Sequence, residues 1–141
     1  MNPNEFKLGK EITTINKLTK GKKYVEAILC AHLVIENQLS TLIYHEACLK
    51  LTRRDSDPSR WKFICDFSFS KKSNMAYVLS IIDKKTYSKI KAINTYRNQE
   101  IAHGLIYRTL IKKRIMDKIT GSLRIIKKLE NKIKRNLKIK S

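Results

Sequence analysis

Ile111, Ile115, Ile119, Leu123, Ile126, Leu129, Ile133 and Leu137 recur at steps of three or four through residues 108–140. Each residue of an α-helix turns the chain by about 100°, so this spacing gathers all eight on one stripe. A strand, with its period of two, would scatter them over both faces. The stripe predicts one long amphipathic helix that must lay its apolar side on other parts of the chain. Gly121, in mid-stripe, is where a bend or break is expected.

The rest of the sequence points to the same fold class. Only four Gly and two Pro punctuate 141 residues, and no alternation of apolar and polar residues lasts for a strand's length, so helix is favoured nearly everywhere. Leu8, Ile12, Ile15 and Leu18 predict a short amphipathic helix that stops before Gly21. Residues 22–51 predict a long one. Its apolar set, Val25, Ile28, Leu29, Leu33, Ile35, Leu39, Leu42, Ile43 and Ala47, covers a face broad enough to meet more than one neighbour. The run 52–60, with Asp-Ser-Asp-Pro inside it, predicts a loop. Trp61, Phe63, Phe67 and Phe69 follow and are expected to form a lid on the core. Ser73 and Asn74 predict the cap of a helix bearing Met75, Ala76, Val78, Leu79 and Ile82 that ends near Asp83. Another helix is expected from about Thr86 to Gly104, with Tyr87, Ile90, Ile93, Tyr96 and Ile101 on its apolar side. The expectation is one all-α domain over residues 1–141, a bundle of about four to five helices ending in a long basic helix.

Some classes of function lose support at once. The least charged stretch, residues 27–43, contains His32, Glu36, Asn37, Gln38 and Ser40, which would sit deep in hydrocarbon if it spanned a bilayer, so it is expected to be a buried helix and no membrane partner is expected. The first residues lack the basic and apolar regions of a secretory signal, and the chain is expected to be cytoplasmic. Cys30, Cys48 and Cys65 are odd in number and widely spaced, predicting reduced thiols in apolar surroundings. No Gly-rich phosphate loop or HExxH is present. His32 and His45, thirteen residues apart on the second helix, would lie about 20 Å from one another and are expected to be structural. Neither a metal nor a cofactor is expected.

The charge points to a partner. Thirty-one Lys and Arg stand against twelve Asp and Glu, a formal net charge of +19. AT-rich coding explains an abundance of Lys, but not the shortage of acids. A polyanion is implied, with nucleic acid ahead of a membrane surface, because no exposed aromatic anchors accompany the charge. Residues 108–140 carry thirteen of the cations and only Asp117 and Glu130. Lys112, Lys113, Lys118 and Lys127, all off the apolar stripe, are the candidate phosphate contacts; a merely solvated helix face is the competing reading.

The chemistry concentrates in Ile93-Asn-Thr-Tyr-Arg97-Asn98-Gln-Glu-Ile-Ala-His103-Gly104. A guanidinium, an amide and an imidazole within seven residues suffice in principle to cleave RNA without a metal. The imidazole moves a proton to or from the 2′-hydroxyl or the leaving oxygen, and the guanidinium stabilises the charge of the phosphorane. On a regular α-helix Arg97 and His103 would stand roughly 9 Å and 120° apart, so one protomer would not easily focus both. A twofold pair of such helices would, which predicts a homodimer with a composite site. The alternative is a helix end stabilised by His103, with Arg97 paired to Glu100 or to a facing acid.

The motif Arg97-Asn98-x4-His103 resembles the R-x4-6-H motif of the HEPN superfamily. The likeness extends upstream through Phe67-Ser-Phe69-Ser-Lys71 and Ala76-Tyr-Val-Leu79-Ser-Ile-Ile82, an order similar to the branch that includes mannitol operon repressor relatives. It covers a core of about residues 22–107. The resemblance implies a small, often dimeric helical bundle. It also implies a ribonuclease in which Arg97 and His103 are catalytic and Asn98 assists, leaving a 2′,3′-cyclic phosphate, in a toxin–antitoxin, defence or RNA-processing role. Leu105 stands where some of the toxins carry a tyrosine, which removes support for modification by a nucleotidyltransferase antitoxin. The alternative within the same resemblance is a non-catalytic regulator that binds protein or nucleic acid.

Overall fold

A computed structural model of the chain describes residues 8–51, 58–101 and 111–140. Among them are six α-helices and no strand: α1 (Leu8–Lys20), α2 (Tyr24–His45), α3 (Pro58–Cys65), α4 (Phe69–Val78), α5 (Lys84–Thr95) and α6 (Lys112–Lys140). Two π-helical segments, Glu46–Leu51 and Tyr96–Ile101, extend α2 and α5.

The centre of the bundle is α2, which packs against α1, α3, α4, α6 and the second π segment. Ile28, Ile35, Leu39 and Leu42 are almost wholly buried, each worth about 1.5–3 kcal/mol of apolar burial. This is the one described helix long and apolar enough to cross a membrane, yet 72% of its most apolar window is covered by the rest of the chain. It begins at Tyr24, two residues later than expected. Lys22 there adopts a left-handed φ of 61°, which stops α1 and turns the chain into α2.

Three expectations are corrected. The first concerns Pro58 to Arg60, which form the first turn of α3 instead of a loop. Proline suits that turn because its missing N–H would have no helical partner there. This short helix brings the number of helices above the four to five expected. Residues 52–57 lie outside the described residues. The second concerns the cap before α4, which is Ser68; its side chain accepts the N–H of Lys71. Ser73 sits inside α4 with its hydroxyl turned back onto the Phe69 and Ser70 carbonyls. The helix stops at Val78, and Ser80 takes a left-handed φ of 58°. Asp83 then caps α5 by accepting the Thr86 N–H, so that helix starts at Lys84. The third concerns α6, which passes through Gly121 without interruption.

The stripe on α6 buries Ile115, Ile119, Ile126, Leu129 and Ile133 against the core, joined by Ile125. Ile111 and Leu137 at its two ends are exposed. Across the α2–α6 seam the amide of Gln38 donates to the carbonyl of Ile126 at 2.9 Å. The cysteines divide three ways: Cys48 is buried, Cys30 half-buried and Cys65 exposed.

Candidate functional site

The Arg97 motif sits where α5 changes character. An α-helix would set residues five apart about 140° around its axis, whereas Tyr96 and Ile101 are both buried. The wider i→i+5 ladder of a π turn reconciles that spacing with one core-facing side. It leaves Arg97, Asn98 and Gln99 as three consecutive exposed residues. The 9 Å and 120° offset derived for a regular helix therefore does not apply across this segment. His103 and Gly104 lie outside the described residues.

Arg97 is not neutralised by Glu100. That carboxylate pairs with Arg114 of α6, and among the described residues Arg97 has no ion pair. Its Nη1 instead donates to Asn98 Oδ1 at 3.0 Å. Asn98 Nδ2 is 3.4 Å from Asn94 Oδ1, and the same oxygen lies 2.9 Å from His32 Nε2. An amide oxygen can only accept, so this contact fixes the His32 proton on Nε2. A chain of polar contacts thus runs from exposed Arg97 through Asn98 and Asn94 to an imidazole in the core.

His32 is 6% exposed and stacks on Phe69 with ring centroids 4.1 Å apart. Burial pushes its pKa below the ordinary value, opposed by the Asn94 hydrogen bond and reinforced by the Arg97 charge, so the ring is neutral at pH 7. One helical turn on, Glu36 forms an ion pair with Lys72 at 3.1 Å, and Lys72 Nζ also reaches the Cys65 carbonyl at 3.4 Å. The lysine is almost completely buried, so this pair fixes α4 against α2 beneath the site. Of the upstream residues of the motif, Phe69 serves the same contact as the platform under His32, whereas exposed Lys71 lies over the Phe67 ring at 5.9 Å, a local contact at the start of α4.

By spacing alone His32 is a structural histidine with no link to Arg97. The two are brought together only by the packing of α2 against the π segment that extends α5, with the Asn94 hydrogen bond beside it, and Asn94 carries no sequence signal of its own. His45 lies 3.4 Å from the Asn136 amide through its Nδ1, at the other end of α2.

The four candidate phosphate contacts do not share a face. Lys112 lies over the Tyr24 ring at 5.7 Å and Lys118 over the Tyr96 ring at 5.7 Å, on opposite flanks of α6. Lys113 and Lys127 are exposed. Among the described residues no three His, Cys, Asp or Glu side chains gather as metal ligands would. Comparison with protein-family models, with curated proteins and with solved structures gives no match for this chain.

Proposed function

We propose that this chain is a metal-independent endoribonuclease of the HEPN type, built on Arg97, Asn98 and His103. The observation that carries the reading is the state of Arg97: exposed on a π turn, braced by Asn98, and left with its full charge because Glu100 is taken by Arg114. A helix-end role for Arg97 through Glu100 loses its partner. π segments inside helices occur often at functional sites, where they displace one or two side chains from the regular pattern.

In the proposed reaction the 2′-oxygen of the substrate attacks the adjacent phosphorus and the bond to the 5′-oxygen breaks. His103 either takes the proton from the 2′-hydroxyl or gives one to the departing 5′-oxygen, water exchanging the other proton, and Arg97 holds the charge that builds on the phosphorane. Asn98 keeps the guanidinium in one orientation. The products carry a 2′,3′-cyclic phosphate and a 5′-hydroxyl. A homodimer that sets two such turns around one cleft belongs to the reading, as does a single-stranded RNA substrate and an antitoxin or similar regulatory partner.

Arg97→Ala and His103→Ala should each lower cleavage of single-stranded RNA in EDTA by about 100- to 10,000-fold. A substrate with 2′-deoxy at the scissile position should resist, because the attacking oxygen is missing. Wild-type protein that leaves a broad panel of RNAs intact, or activity that survives in both variants, would return the chain to a non-catalytic regulator of the mannitol repressor kind.

A further inference from the structure

On the flank of α5 that faces α6 lies a groove of about 410 Å³ with an unusual lining. Lys85 and Lys89 come from α5, and Lys118, Arg124 and Lys128 from α6, with Asp117 as the only acid among them. The helices run antiparallel here: Lys128 bonds Thr86 at 2.7 Å near one end, and Lys118 covers Tyr96 near the other. The floor is apolar, made by Ala92, Ile93 and Ile125.

Two features distinguish this groove from a generally basic surface. Lys128 pairs with Asp83 at 3.6 Å, but Lys85, Lys89 and Arg124 have no ion pair among the described residues, and these unpaired cations facing one another across a narrow cleft focus a positive field that an anion would relieve. Gly121 forms part of the wall, and a Cβ built there would meet nothing within 4 Å. Glycine in a helix interior costs about 1 kcal/mol relative to alanine, with no left-handed backbone to require it. Its effect at this position is to keep the cleft open.

We infer that the α5–α6 groove is a binding site for the sugar–phosphate backbone of single-stranded RNA, with phosphates on the cationic rims and the less polar sugar and base edges over the floor. The identity of the polyanion rests on the ribonuclease reading; the site itself does not. It stands on the opposite flank of α5 from the His32 and Asn94 contacts. Of the four lysines expected from the α6 sequence, only Lys118 belongs to it.

Fluorescence anisotropy with a 2′-O-methyl oligouridylate, which cannot be cleaved, tests the site at several salt concentrations. The triple variant Lys85→Gln, Lys89→Gln, Arg124→Gln should weaken binding at least about tenfold and reduce the slope of log K against log salt by about 2. Lys17→Gln, Lys20→Gln, Lys62→Gln removes the same charge from exposed positions outside the groove and should change binding much less. Gly121→Leu alters no charge, fills the cleft, and should weaken binding while the thermal unfolding of the protein stays intact. Equal losses in the two triple variants, or an unchanged affinity in Gly121→Leu, overturn the site. So does a nucleoside triphosphate that binds as tightly as the oligomer, since the groove would then serve a small ligand. Groove-dependent binding without cleavage by the wild type refutes the ribonuclease and keeps the groove; cleavage with groove-independent binding does the reverse.

Discussion

Asn94 is the joint between the exposed Arg97 turn and the buried His32, and replacing it separates the two. In Asn94→Leu the His32 Nε2–H loses its acceptor at 2.9 Å in surroundings that leave the residue 6% exposed. A buried donor without a partner costs about 1–3 kcal/mol, which for a chain of this size corresponds to a fall of roughly 3–10 °C in Tm. Asn94→Asp makes the opposite change, placing a carboxylate where the amide oxygen was. The sign follows from the imidazole. In the parent protein the pKa of His32 lies below its ordinary 6.5, so as pH falls below 6.5 the unfolded chain takes up the proton first and stability is lost until the pH has passed the folded value. An adjacent carboxylate favours the imidazolium and raises the folded pKa. If it rises above 6.5, His32 contributes stability that is full at low pH and is lost as pH rises through the folded value. Asn94→Asp should therefore recover relative to the parent between pH 7 and 5.5. Urea unfolding across that range, with NMR titration of the His32 ring, measures both. Parallel stability profiles, or a His32 resonance that titrates at the same pH in both proteins, would refute the assigned hydrogen bond.

Two further outcomes concern stability elsewhere. Gly121→Ala, in mid-α6 with open space beside it, should raise stability by up to about 1 kcal/mol, read as a Tm gain of roughly 2–4 °C. Glu11 on α1 has a buried Oε2 with no hydrogen-bond partner, and burial, then repulsion from Glu130, raises its pKa above the usual carboxylate value. Ionised Glu11 thus lowers stability as pH rises from 4.5 through its folded pKa. Glu11→Gln should raise Tm at pH 7 and lose that advantage near pH 4, and a gain of equal size at both pH values would show that its charge is not the cause.

Much of the architecture was legible because long periodic patterns leave little choice. The eight-residue stripe of α6 and the broad apolar face of α2 each required a partner, and they are one another's. Short elements were harder to read. Ser68 and Ser73 both precede apolar residues at helical spacing, and what separates them is the fit of Phe69 onto His32, a contact between residues far apart in sequence. The π segment was hidden for a related reason: only the burial of both Tyr96 and Ile101 forces the wider turn, and burial is a property of the packed chain. At the site, the residue types in the Arg97 motif could be read one by one. The link from Asn94 to His32 joins α5 to α2, and the groove joins α5 to α6; neither can be reached from the spacing within one helix.

The seam in which Gln38 of α2 donates to Ile126 of α6 joins residues 88 apart, and it sets the order in which this protein can become protected during synthesis. Chains emerge from the ribosome in sequence, so α2 is exposed to the cell long before the helix that covers it exists. For that interval a largely apolar helix stands beside α1, α3 and α4 with its α6 side bare, the kind of surface on which chaperones act and nascent chains associate. A pattern dominated by so distant a pairing also delays closure, because the intervening loop must be ordered before the seam stabilises it. The last helix therefore completes the core as well as supplying charge, and a chain arrested before α6 would be expected to aggregate, not to remain as a smaller stable bundle.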